Sequence, residues 1–180
     1  NPRPPARGLI ADLVAERYFG AIRNWCLENR IAFSGHVLWE EALMHHPALE
    51  GNGLKVLALM DIPGLDMLTS NPQAAIHSGW MAAGLPASAA LLMGRRRVMT
   101  EVSDFSEKMG GAGPATLAQM QAAAAWQAAC GVTDFTLYYR IEDRKAEEYR
   151  AYADYVGRLN AILKPARMDP EVLLYYPVHD

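Results

Sequence analysis

Ile10, Leu13, Val14, Phe19, Ile22 and Cys26 recur at spacings that line one face of a helix, which predicts helical chain from Arg7 to Asn29. Asn29 suits the stop, because asparagine tolerates the left-handed cap conformation. Ile31 to Val37 then becomes short and β-favourable, the pattern of a buried strand. Leu54 to Met60 is apolar throughout and fits helix or strand. We read it as helix, because Asp61-Ile62-Pro63-Gly64 breaks it and Leu65 to Thr69 then carries the strand pattern.

The cycle repeats. Pro86 can open a helix that runs to Met93, with Gly94 placed to stop it, and Val98 to Val102 reads as the next strand. Thr116 to Gln119 has capping-box spacing and starts an alanine-rich helix ending at Cys130-Gly131. Val132 to Tyr139 predicts a fourth strand, and Glu147 to Lys164 a helix with Tyr152, Tyr155, Val156, Leu159 and Leu163 on its apolar side. Alternating helices and strands predict an α/β fold with four consecutive parallel strands and helices on one side.

The connections are unequal. Chain leading into each strand is short, whereas chain leaving each strand is longer and richer in reactive side chains: Glu40, Glu41, His45 and His46; Asn71, His77 and Trp80; Ser103 to Gly113; Arg140 to Arg144. Barrels and doubly wound sheets both place their sites at the carboxyl ends of the strands, so this asymmetry predicts an active face without choosing between them. No glycine-rich phosphate fingerprint follows a strand, which weakens the nucleotide-binding version.

Composition narrows the classes. The 180 residues are 51% hydrophobic and 21% charged, enough for one domain with a real core. A net charge of −3 and a pI near 6.0 supply no basic field for nucleic acid or an acidic membrane surface. No apolar run reaches the roughly 18 residues that cross a bilayer. Cys26 and Cys130 make neither a disulfide framework nor a zinc site. The chain starts at Asn1, which suggests an excised or processed segment. Its location stays open between the cytoplasm and a periplasmic or secreted parent.

Glu101 is the foremost chemical candidate, since an acidic side chain among Val98, Met99 and Val102 is costly unless paired, hydrogen-bonded or used. His36 follows a glycine within a strand and serves either a ligand or a core hydrogen bond. His45-His46 are adjacent and do not converge on one ion, so we expect them in solvent and expect no metal or cofactor. Trp80, Tyr138 and Tyr139 could stack against a ligand, at most one of the two tyrosines facing inward; Trp25 and Trp126 read as packing residues. Asp61 and Asp66 flank Pro63-Gly64 and read as turn or capping residues at the start of a strand. Arg95 to Arg97 reads as a solvated turn.

Ser34-Gly35-His36 followed by Glu40-Glu41, then Met60 to Asp66, then Val98-Met99-Thr100-Glu101, resembles a group of bacterial (β/α)8-barrel glycoside hydrolases related to the α-L-rhamnosidases and β-galactosidases. The resemblance continues through Trp126-Gln127 and Gly131-Val132 to Tyr149, Tyr152 and Leu159. It implies a partial barrel, about strands five to eight with their helices, over residues 1–168, with 169–180 starting the following domain. A complete barrel takes about 250 residues, and the rest of the parent chain would complete it. The resemblance further implies that Glu101 is a catalytic carboxylate, nucleophile or general base, acting on a carbohydrate substrate. The acid is then expected upstream of Asn1, with Glu40 as the internal candidate. His36, Glu40, Asp104 and Tyr138 are the expected substrate-binding residues, although Glu40 also suits the opening of a helix and Asp104 the holding of a loop. The isolated chain is expected to be inactive. The Gly110-Gly111-Ala112-Gly113 loop lacks the aromatic residue that the resemblance calls for, and a non-catalytic carbohydrate-binding barrel is the alternative.

Overall fold

The computed structural model describes residues 6–178. Helical chain runs from α1 (Ala6–Leu13) through a π-helical segment (Val14–Phe19) into α2 (Gly20–Glu28). The π segment widens the turn and shifts the phase of the apolar face. Ala11, Ala15 and Cys26 are therefore buried, while Ile10, Leu13 and the expected packing residue Trp25 lie exposed. The left-handed position after the helix falls on Arg30 (φ 56°), one residue beyond Asn29, whose amide instead donates to the Trp25 carbonyl at 2.8 Å.

Four parallel strands follow: β1 (Ser34–Gly35), β2 (Ile62–Met67), β3 (Met99–Val102) and β4 (Asp134–Leu137). They lie in one sheet in the order β1-β2-β3-β4. β1 is much shorter than the predicted Ile31–Val37. β2 starts at Ile62 rather than Leu65, because Pro63 sits second in the strand, where a missing N–H is tolerated. Gly64 is needed there. A Cβ would lie 2.8 Å from the Gly35 carbonyl oxygen and 2.9 Å from that of Met99, the backbones on either side.

Between β1 and β2 come α3 (His46–Leu49) and α4 (Gly53–Leu57), the latter capped by the Asn52 side chain on the Lys55 amide at 3.0 Å. α5 (Pro72–Ser78) and α6 (Trp80–Leu92) follow β2. α6 starts six residues before the predicted start at Pro86, which lies inside it. A proline inside a helix costs about 3 kcal/mol, and burial of the alanine-rich face against β2 outweighs this. After β3 come α7 (Phe105–Met109) and α8 (Leu117–Ala129), whose Thr116–Gln119 capping box is present as predicted. α9 (Ala146–Leu163) follows β4.

Side chains alternate across the sheet. Leu65, Met67 and Val102 pack on one face against Ala82, Ala83, Ala87 and Ala90 of α6, Met120 and Ala124 of α8, and Tyr152 and Val156 of α9. Thr100, on the same face, hydrogen-bonds the Gln127 carboxamide of α8. Small alanines let α6 approach the sheet closely. A second core gathers Cys26, Phe33, Val56, Leu57, Met60 and Leu85. Asp66 and Glu101 project from the opposite face of the sheet.

The arginine run is not simply solvated. Arg95 donates to the Ala58 carbonyl at 2.7 Å, Arg96 to that of Pro165 at 2.6 Å, and Arg97 to both oxygens of Asp134. These contacts fasten the amino-terminal end of the sheet. The stretch 171–177, within the segment expected to start the following domain, is irregular here. Val172 to Tyr175 are exposed, and the Tyr176 hydroxyl meets Nδ1 of His46. Among the described residues no helix is long and apolar enough to cross a membrane.

Candidate active site

The carboxyl halves of the first three strands bring four polar side chains together. His36 leaves β1 directly, Glu40 lies four residues on, and Asp66 and Glu101 are register partners on β2 and β3. His36 Nδ1 lies 2.7 Å from the Val37 carbonyl oxygen and 3.4 Å from Glu40 Oε1; its Nε2 lies 3.9 Å from Glu101 Oε2. The hydrogen bond to Glu40 raises the His36 pKa to about 9 against the opposing effect of burial, so the ring is an imidazolium at neutral pH. Its charge is held between two carboxylates.

Glu40 is 1% exposed, and its Oε1 also accepts from the Asp66 backbone N–H at 3.3 Å. So placed, Glu40 anchors His36 and the backbone of β2, and the next helical turn begins only at Leu43. The expected role of Asp66 is corrected. With β2 starting at Ile62, Asp66 lies toward the carboxyl end of the strand beside Glu101, not in a turn at its start. Its Oδ1 is buried without a hydrogen-bond partner. Burial foremost, then the charges of Glu101, Glu40 and Glu41, push its pKa up to about 6 against the pull of His36. Asp61 precedes β2, and its carboxylate accepts from the Phe33 backbone N–H at 2.9 Å, a contact between segments 28 residues apart rather than a local turn.

Asp104, expected to bind substrate or hold a loop, is 2% exposed. It accepts from the Ala115 amide at 3.0 Å and pairs with Arg144, contacts that hold the loop after β3. Tyr138 is exposed at the end of β4, whereas Tyr139 is buried with its hydroxyl 2.6 Å from Ser70 Oγ. The Trp80 side chain lies outside the described residues. The expected solvent exposure of the histidine pair is overturned at His46, which is 0% exposed and has its pKa lowered chiefly by burial. His45 packs edge-on against Trp39 with ring centroids 4.5 Å apart.

Trp39 escaped the sequence reading. It lies between His36 and Glu40, is 55% exposed, and holds φ at 59°, a left-handed conformation that costs a bulky residue energy. Nothing in composition or periodicity marks such a backbone. Among the described residues no group of three or more His, Cys, Asp or Glu side chains is arranged to hold a metal ion. A cavity of about 580 Å³ lies instead at the amino-terminal end of the sheet, lined in part by Arg95, Arg96 and Met168. The two arginines there are engaged with backbone carbonyls, so the cavity lacks converging reactive groups.

No protein-family model, curated protein or solved structure matches this chain.

Proposed function

We propose that this chain is part of a glycoside hydrolase that cleaves O-glycosidic bonds, with Glu101 as its nucleophile or general base. The observation that carries this reading is Glu101 itself. Its carboxylate is 29% exposed near the carboxyl end of a parallel strand, faces the His36 imidazolium and has a second carboxyl, Asp66, beside it. Paired carboxyls are what glycoside hydrolysis requires. Trp39 and Tyr138, both exposed, offer aromatic faces suited to the apolar side of a sugar ring.

The sheet fits part of a (β/α)8 barrel, about strands five to eight. Its order runs β1-β2-β3-β4 with no reversal, whereas a doubly wound sheet reverses strand order at its binding crevice. The helix-covered and carboxylate-bearing faces then correspond to the outside and inside of a barrel.

The test is Glu101→Gln in the full-length protein, assayed on a panel of 4-nitrophenyl glycosides. Removing the charge while keeping the shape should lower kcat by about 10²–10⁴-fold with little change in KM. A folded variant with near-normal turnover removes Glu101 from the mechanism. A wild-type protein that binds sugars but turns over none of the panel favours the non-catalytic barrel.

A further inference from the structure

Three carboxyl groups, those of Glu40, Asp66 and Glu101, surround a single imidazolium. Glu40 and Glu101 both contact it, at 3.4 Å and 3.9 Å. Asp66 has no such contact, and its Oδ1 is buried with no donor to stabilise a charge. A half-buried carboxyl with an undonated inner oxygen, beside another carboxylate, is disfavoured as the anion, and a proton on one of the two relieves it. Asp66 is the one with no direct contact to the imidazolium.

We propose that Asp66 is the proton-bearing carboxyl of this site and its general acid, so that the catalytic pair lies within this chain rather than being completed from upstream. This rests on the glycoside hydrolase reading above. Register partners on adjacent strands have backbones about 4.8 Å apart, so the two carboxyls leave the same face of the sheet side by side. The retaining mechanism, which uses a carboxyl separation of about 5–5.5 Å, is the one this adjacency favours. In it Glu101 attacks the anomeric carbon. The bond from that carbon to the leaving oxygen breaks, its electron pair stays on the oxygen, and the Asp66 proton passes to it. Water then attacks the anomeric carbon of the glycosyl ester and gives one proton to the Asp66 carboxylate. The bond to Glu101 breaks, which restores both groups.

The groups facing Asp66 agree with this assignment. Glu101 on β3 and Glu40 and Glu41 on the loop after β1 all favour its protonated form, and His36 alone opposes them. A pKa of about 6 places the loss of activity on the alkaline side, with turnover falling as pH rises through that value.

The test compares Asp66→Asn with the wild-type full-length protein on galactosides and rhamnosides of two leaving groups. Methyl glycosides need protonation to depart, and 2,4-dinitrophenyl glycosides do not. An acid role predicts a loss of about 10²–10⁴-fold in kcat/KM on methyl glycosides and less than about tenfold in kcat/KM on dinitrophenyl glycosides, because kcat/KM reports the step in which the leaving group departs. Wild-type product should retain the anomeric configuration by proton NMR. Equal losses in kcat/KM on both leaving groups, or no loss on either, would overturn the acid role, and inversion would overturn attack by Glu101. If the wild type cleaves none of these glycosides, the hydrolase reading falls and the acid role with it. The proton assignment is decided separately by ¹³C NMR titration of the aspartate carboxyls. An elevated Asp66 titration that falls in Glu101→Gln supports it, and an ordinary aspartate titration overturns it.

Discussion

Asp104 and Arg144 form an ion pair whose side chains are only 3% and 4% exposed, and it ties the loop after β3 to the loop after β4. Arg144 also donates to the Ala115 carbonyl at 3.0 Å and lies over the Tyr139 ring, 4.9 Å from its centroid. Taking one partner away leaves the other charge buried, which costs about 3–5 kcal/mol. Arg144→Met should therefore be strongly destabilised in urea denaturation, and the double variant Asp104→Asn/Arg144→Met less so. A single variant no worse than the double would show that the pair does not act as a unit.

The imidazolium of His36 makes stability depend on pH. Its folded pKa of about 9 lies above the ordinary value of 6.5, so its contribution is complete below pH 6.5 and disappears as pH rises through 9. Glu40→Gln keeps an oxygen to accept from the Asp66 amide but removes the charge that holds the proton on His36. NMR titration should then find the His36 pKa lowered toward 6.5, and urea midpoints should lose their decline across this range.

Asp66 presents the opposite case, a carboxyl raised from 3.8 to about 6. The folded chain holds this proton more tightly than the unfolded chain, so the contribution of Asp66 to stability is complete below pH 3.8 and is lost as pH rises through 6. Asp66→Asn should therefore raise the urea midpoint at pH 7 even as it removes activity. That combination marks a group retained for chemistry at the expense of stability, and a lower midpoint would count against it.

Gly64 has no room for a side chain between β1 and β3. Gly64→Ala should cost about 1–3 kcal/mol through overpacking against backbone that cannot move aside. Chemical denaturation measures this loss. Because Gly64 lies two residues before Asp66, the variant should also blur the Asp66–Glu101 register, visible as altered carboxyl titration.

Much of the architecture was legible in the order of residues. The capping box at Thr116, the apolar stripe of α9 and the four β-favourable segments are local signals, set by backbone preference and by which side chains avoid water, and they predicted a parallel α/β chain. The misreadings came where local preference yields to distant contacts. Asp61-Ile62-Pro63-Gly64 looks like a turn, but β1 and β3 draw Ile62–Met67 into a strand and thereby move Asp66 from a turn into the site. His46 reads as a surface residue until Tyr176, 130 positions away, meets it in the core. The partners of Glu40 and Asp104, His36 with the β2 backbone and Arg144 with the Ala115 amide, are likewise set only by burial in the fold. Sequence determines the type of each element and the chemistry it carries. Which carboxyl faces a cation, and which must keep its proton, is decided only when the strands pair, because burial and charge proximity are properties of the assembled fold.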